Sequence, residues 1–416
     1  MPNKFLIATL LKCCVFGCYG LHAQELAFEG AAGFGAFSRG GKGGVVIEVN
    51  RLDDDVKAPQ PGMLRWAVQQ KGPRMIHFTQ AGTIHLLDTL EIREPFLTLD
   101  GRDAPGQGVC IRGGTLEFKD THDIILRSFR VRLGDETTKR RNREQGLKRP
   151  KNSNGLDCLS FSRCRDVIAD HISASWSCDE VFSVVHCENV TVQWCLISEP
   201  LTNPELHPYG DNHAFGFNAS ASTLSVHHCL FARYVMRGPQ FEANDLRKED
   251  AYEVKMEAVN NVMFDYQKSG SRYTTGVEDH RDAAAGKHYA FQFMGNVYLG
   301  GAEPPAIQAV MKHEVHSGVR VHVDDPSLIQ LSDSKGREGF IKEVQAQQQS
   351  APLFASPRLQ ADPVSTVLER VLASVGCSHV CDAVDTRVLA AVRNRDWHKP
   401  IRSQNEVGGW PDLQGN

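Results

Sequence analysis

Three short segments of the chain align on one another without gaps: Asp166-Val167-Ile168-Ala169-Asp170-His171-Ile172, Asn189-Val190-Thr191-Val192-Gln193-Trp194-Cys195 and Thr223-Leu224-Ser225-Val226-His227-His228-Cys229. Each is a β-rich apolar run with a polar residue at its start. Asp123-Ile124-Ile125-Leu126 and Asn261-Val262-Met263-Phe264 read as an earlier and a later copy. The column Val167, Val190, Leu224, Val262 steps by 23, 34 and 38 residues. One such unit cannot bury its apolar face alone, so the copies must stack, each strand about 4.8 Å from the next. The pattern predicts an all-β fold, a single-stranded parallel β-helix whose longer steps mark loops inserted on one side. An ordinary β-sandwich would leave the column unexplained.

The rest of the chain divides around that repeat. Residues 1–23 carry Lys4, an apolar run interrupted by Lys12, and Leu21-His22-Ala23 ahead of Gln24, the pattern of an export signal cut after Ala23. The segment is too short and too interrupted for a membrane anchor. A lipoprotein signal ending at Cys18 fits less well, because Phe16 is awkward ahead of Gly17-Cys18. Residues 24–330 are expected to form the β-helix, opening with runs such as Met75-Ile76-His77-Phe78 and Leu97-Thr98-Leu99. Residues 331–416 turn polar and then helical, with Val367, Leu368, Val371 and Leu372 followed by Val388, Leu389 and Val392, which predicts a short helical extension with a loose tail. A net charge of -4 over 416 residues with 41% hydrophobic content suits a secreted globular monomer, extracellular or periplasmic, and argues against nucleic acid as a partner.

Nine of the twelve cysteines lie beyond residue 23, and an oxidising destination allows disulfides. Cys164 and Cys187 share a column, as do Cys195 and Cys229. A Cys164–Cys187 bond is expected, whereas Cys195 and Cys229 suit a bond and buried free thiols equally well. Cys377 and Cys381 are placed to close a small clip. No cysteine or histidine spacing matches a zinc site.

Chemistry gathers at three places: Asn154-Gly155-Leu156-Asp157, Trp176-Ser177-Cys178-Asp179-Glu180 and Arg237-Gly238-Pro239. Rung-like spacing can bring these acids and the arginine into line on one face of a solenoid, although capping of turns is a simpler use for the two aspartates. Strand alternation would aim Asp179 and Glu180 to opposite faces.

Several motifs in order carry a family resemblance. Ala27-Phe28-Glu29-Gly30-Ala31-Ala32-Gly33-Phe34-Gly35, the Gly40-Gly41-Lys42-Gly43-Gly44 turn, Gly62-Met63-Leu64-Arg65-Trp66-Ala67-Val68, Gly72-Pro73-Arg74 and Asp100-Gly101-Arg102-Asp103-Ala104-Pro105-Gly106 resemble the N-terminal pattern of the pectate lyase superfamily, polysaccharide lyase family 1, particularly its bacterial secreted members. Asp382-Ala383-Val384-Asp385-Thr386-Arg387-Val388 resembles a C-terminal pattern of the same bacterial members. The resemblance implies a right-handed parallel β-helix that cleaves an acidic polysaccharide, pectate or a related uronate polymer, by β-elimination. That chemistry must neutralise the uronate carboxylate, remove the C5 proton and assist the leaving oxygen. By resemblance Asp157 and Asp179 bind Ca²⁺, whose preference is for hard oxygen ligands, and Arg237 is the base. Asp170-His171 matches a structural motif of the family.

The chain also departs from the family pattern. Gln240 and Glu242 stand where a second arginine is usual, Ser183 replaces a further acidic ligand, and Tyr209 falls where a lysine holds substrate carboxylate. His207 and His213, in the Tyr209 loop, are the candidates to make part of the missing substrate contact. The basic insertion Lys139, Arg140, Arg141, Arg143, Lys148, Arg149 and Lys151 either reaches over a groove toward a polyanion or is a solvated mobile loop. Two other functions fit less well. A carbohydrate-binding solenoid without activity would explain the departures, and a glycoside hydrolase would need a second acid on a facing rung.

Overall fold

The computed structural model describes residues 24–242, 253–274, 288–300, 308–313, 319–324, 329–331 and 348–413. The export segment lies outside the described residues. The remainder is a parallel β-helix whose coil passes through three faces. The first and third faces join into one 18-stranded sheet and the second is an 8-stranded sheet. All the pairings between named strands are parallel, and strand Glu180–Gln193 runs unbroken around the corner between the first face and the third, with a register shift between Val185 and Cys187.

On the first face Ile124, Val167, Val190, Leu224 and Met256 pair in register, so the gapless alignment of the sequence is the physical stacking of the rungs. Val262 is the exception. Its strand, Val262–Tyr266, belongs to the second face, where Val262 pairs with Leu230. The true copy on the first face is Glu253–Val259, and its Lys-Met-Glu-Ala centre hides it among more β-branched neighbours. The chain leaves the first face at single left-handed residues: His171 (φ 56°), Trp194 (φ 53°), His228 (φ 54°) and Asn260 (φ 54°). That conformation is unfavourable for residues with a Cβ, and here it is offset by stacking between turns. The His171 and Trp194 rings lie 6.0 Å apart and those of Trp194 and His228 4.4 Å apart. The Asp170-His171 pair is part of this column, with His171 Nδ1 2.9 Å from Asp170 Oδ1.

Inward side chains fill the coil as ladders, including Phe118 stacked on Phe161 (5.0 Å) and Phe182 beside Phe217 (5.7 Å). Two outer faces are covered. The N-terminal segment lies across the first, where Gly35 N–H donates to Thr191 Oγ1 (2.9 Å) and Phe34 N–H to Ser225 Oγ (3.2 Å), while Ala31 and Ala36 pack on Ile125 and Ile168. Helices Val364–Ser374 and Ala383–Asn394 cover the second, burying Val367, Val371, Val388 and Val392 against Leu196, Leu230 and Phe264. Arg132 from that face meets Asp382 (2.6 Å) and Asp385 (2.8 Å), and Arg387 meets Glu199 (2.6 Å). The Asp382–Val388 motif is thus the staple that fastens the last helix to the coil. The third face carries no such cover among the described residues, and a cavity lined by Glu91, Glu117, Lys119, Arg141 and Asn154 opens beside it.

Two expectations are corrected here. Cys164 and Cys187 are stacked, with Cys164 N–H 3.3 Å from Cys187 Sγ, but both are free thiols, as are Cys195, Cys229, Cys377 and Cys381. In-register parallel strands keep equivalent Cβ atoms about 4.8 Å apart, wider than the roughly 3.8 Å of a disulfide. The basic insertion is not a loose loop at its start: helix Glu136–Glu144 turns Lys139 to Asp135 (2.5 Å), Arg140 to Glu144 (3.2 Å) and Arg141 to Asp88, so these three of its seven cations are engaged with local acids.

Candidate active site

Along the third face an outward polar column runs Glu117, Ser160, Ser183, Asn218 and Gln240, each in register with the next. The reactive groups cluster in the turns where these strands begin. Leu159 pairs with Phe182, so two residues upstream Asp157 stands beside Glu180; Glu180 pairs with Phe215, and Phe215 bridges to Met236, next to Arg237. Four successive rungs therefore contribute Asp157, Glu180, Phe215 and Arg237.

Each position has a local cause. Glu180 N–H donates to Asp157 Oδ1 at 3.1 Å, fixing one carboxylate against the next rung. Arg237 adopts φ 71°, its guanidinium bonds the Glu180 carboxylate, and its Cζ lies 4.3 Å over the Phe215 ring. Its Nε is buried without a hydrogen-bond partner. Gly216 makes room for that turn, since a Cβ there would come within 2.5 Å of the Arg237 carbonyl oxygen. Asp179 sits in the bend ahead of strand Glu180–Gln193, where strand alternation does not apply. Asp157, Asp179 and Glu180 consequently offer carboxylate oxygens within 4.8 Å of one another, which corrects the expectation that Asp179 and Glu180 would face apart.

The loop after residue 200 closes the other side of Asp179. A short 3-10 turn, Pro204–Leu206, starts with Asn203 accepting from Glu205 N–H and delivers His207 to a position only 1% exposed. His207 Nε2 is 3.3 Å from Asp179 Oδ2, and His213 Nε2 is 3.6 Å from Asp179 Oδ1. The two rings stack at 3.5 Å, and Asp211 Oδ1 receives His213 Nδ1 at 2.6 Å. Tyr209 is 77% exposed at the loop tip.

The acids are electrostatically strained. Burial, and next to it repulsion from Asp179, hold Asp157 well above the ordinary carboxylate range, against hydrogen bonds from Ser183 and Glu180 N–H. Burial and Asp179 likewise raise Glu180, with Arg237 opposing. Burial also pushes Asp179 upward, but hydrogen bonds from His207 and Glu180 and the nearby histidines bring it below its usual value. Burial lowers His213 despite Asp179 and Asp211. A cluster of hard oxygen donors whose mutual repulsion disfavours ionisation fits a divalent cation, because such an ion relieves both burial and repulsion.

The structure thus brings Arg237, Asp157, Asp179, His207 and His213 into one place, sets Glu180, the weaker candidate beside Asp179, among them, and adds Asp211 and Phe215. Glu180 had a usable signal: the 23-residue step relating Val167 to Val190 also relates Asp157 to Glu180. Asp211 and Phe215 had none, since they act through loop closure and ring contact.

Fold and site together define a parallel β-helix protein with three carboxylates and an arginine gathered at one edge of its third face. Among curated proteins, the chain is similar to a probable pectate lyase C of Aspergillus oryzae, 27% identical over 398 residues, covering 93% of this chain and 82% of that protein. It is also similar to a probable pectate lyase C of Emericella nidulans, 28% identical over 401 residues, covering 94% and 81%. A pectate lyase solved in a study of substrate specificity and anti β-elimination superposes with a TM-score of 0.50 at 12% identity, covering 86% of this chain and 99% of that one, and shares the fold. No family model matches. The likeness to these pectate lyases stands at 27–28% identity over most of the chain, and these relatives are fungal, where the sequence motifs pointed to bacterial members.

Proposed function

We propose that the protein is a polysaccharide lyase that cleaves pectate or a related uronate polymer along the third face, acting outside the cytoplasm as a monomer after removal of residues 1–23. Among the described residues no helix is long and apolar enough to cross a membrane. The observation that carries the reading is the convergence of three carboxylates and Arg237 within a span of four successive rungs, joined to likeness over most of the chain to proteins named pectate lyase.

In β-elimination the C5 proton leaves to a base, the C5–H electrons form the C4–C5 double bond, and the C4–O bond breaks with protonation of the departing oxygen. Asp157, Asp179 and Glu180 would hold Ca²⁺, which when bound neutralises the uronate carboxylate and so acidifies the C5 proton. Arg237 is the proton acceptor of this reading. Its guanidinium is fixed between the Glu180 carboxylate and the Phe215 ring, and a planar group so fixed can face one ring hydrogen of the sugar. A guanidinium normally keeps its own proton, so acceptance of the C5 proton is the demanding step this reading asks of Arg237. Phe215 excludes water from one side of it. His207 and His213 act on substrate binding through Asp179, which they flank, rather than by reaching the polymer themselves.

Incubation of the mature protein with polygalacturonate, methylated pectin and other uronate polymers, with calcium or chelator, tests the reading directly. The expected result is a calcium-dependent rise in ultraviolet absorbance from the unsaturated product. New reducing ends without that absorbance would indicate a hydrolase, and no product at all a binding protein. Arg237→Lys keeps the charge but not the planar group and is expected to lower turnover by about 10²–10⁴-fold. Near-normal turnover in that variant would remove Arg237 as the base.

A further inference from the structure

The Asp179–His207–His213 group has a donor set unlike the acid cluster beside it. Three ligand atoms, two imidazole nitrogens and a carboxylate oxygen, lie within 4.8 Å of one another on buried side chains. The carboxylate of Asp211 can only accept, so its 2.6 Å contact assigns the proton of His213 to Nδ1. In the neutral ring Nε2 then carries a lone pair, and that lone pair faces Asp179 Oδ1 at 3.6 Å. Two electron-rich atoms directed at each other across a buried gap are poorly matched unless a cation stands between them.

The dimensions suit such a cation. Nε2 of His207 and His213 lie 3.3 and 3.6 Å from the Asp179 oxygens, so the hydrogen bond from His207 is long beside the roughly 2.7–2.9 Å of a charge-assisted pair, and a bound ion would take the place of its proton. Each distance is near the roughly 3.4 Å ligand-to-ligand separation around a zinc-like ion whose ligands stand about 2.1 Å away, His207 toward Oδ2 and His213 toward Oδ1, so the carboxylate would face the ion with both oxygens. Asp211 completes the arrangement at His213, whose Nδ1 it meets at 2.6 Å, while Nδ1 of His207 is buried 3.4 Å from the same oxygen without a hydrogen-bond partner. A carboxylate behind a ligating histidine fixes the tautomer and the ring plane, the usual outer support of a metal site.

We propose that Asp179, His207 and His213 form a second divalent-metal site, selective for a borderline first-row ion of the zinc type over calcium, with Asp211 as its outer-shell support. Two imidazoles favour such ions, whereas Ca²⁺ takes oxygen ligands. The site shares only Asp179 with the calcium reading. Its ion ties the 203–213 loop to the turn ahead of strand Glu180–Gln193 and thereby positions Asp179 for the neighbouring cluster.

Cobalt(II) serves as the probe, because its visible absorption reports nitrogen and oxygen coordination independently of activity. Mature protein stripped by chelator and then held in excess calcium is titrated with Co²⁺. One equivalent should bind with a visible band. His213→Ala and His207→Ala should each weaken binding by more than the about 10–100-fold expected for Asp211→Asn, whose loss is that of an outer-shell carboxylate. Asp157→Asn, which touches only the acid cluster, should leave Co²⁺ affinity unchanged. Circular dichroism checks the fold of each variant, and if His207→Ala misfolds, the less buried His213→Ala decides. The proposal is overturned if calcium displaces the cobalt, if no band develops, or if His213→Ala binds Co²⁺ as the parent does. Absence of lyase activity would defeat the proposed function without touching this outcome.

Discussion

At the level of single residues, the acid cluster is where register outweighs pattern. Asp157 and Glu180 are equivalent positions on adjacent rungs, joined by a 3.1 Å hydrogen bond from Glu180 N–H, and Asp179 is added from the bend between them. If these three hold calcium, Asp157→Asn, Asp179→Asn and Glu180→Gln should each raise the calcium concentration needed for half-maximal activity, since each removes an anionic ligand while preserving shape. Titration calorimetry with Ca²⁺ checks this, and a Glu180→Gln variant with parental affinity would return the site to the two aspartates alone. The cysteines give a second residue-level outcome. Alkylation after unfolding without reductant should modify Cys164 and Cys187 both; a peptide linking the two would show that the rungs close by more than in-register stacking allows.

At the level of elements, the outer faces decide where a substrate can lie. The N-terminal segment reaches the first face through Gly35, where a Cβ would meet the Val167 carbonyl oxygen at 2.1 Å and Thr191 N at 2.8 Å. Both obstacles are backbone, so neither can rotate away. Gly35→Ala should therefore cost about 3 kcal/mol, at the upper end of ordinary overpacking, read as a shift of the urea midpoint. The last helix is attached differently, by charge. Asp382 caps it, accepting from Val384 N–H and Asp385 N–H, and also receives both Arg132 nitrogens at 2.6 and 3.0 Å. Removing Asp382 leaves two buried arginines short of a partner, so Asp382→Asn should destabilise the protein at neutral pH more than loss of a cap alone, about 1 kcal/mol, would do.

For the whole molecule, that staple predicts an acid dependence. Burial disfavours the Asp382 carboxylate, but Arg132 and Arg130 outweigh it and bring the group from 3.8 to about 2. The folded value lies below the unfolded one, so the stabilisation is complete above pH 3.8 and is lost as pH falls through about 2. The parent should lose stability steeply across that interval, whereas Asp382→Asn should start lower and lose less; equal slopes would show that acid unfolding proceeds elsewhere. What the sequence alone determined was the coil and its register. The gapless column Val167, Val190, Leu224 is the stacked column of the structure, because a strand must repeat its inward residues to stack. The helices near residues 364–394 were legible for the same reason, their apolar residues recurring at helical spacing. Two things needed the tertiary structure. Val262 lies on the second face although its strand reads like a copy of those on the first, because apolar strands of different faces look alike and only coil geometry separates them. The Asp179–His207–His213–Asp211 group was not legible as a unit, because a loop without a repeat carries no register, and only its closure over the bend at Asp179 brings those side chains together.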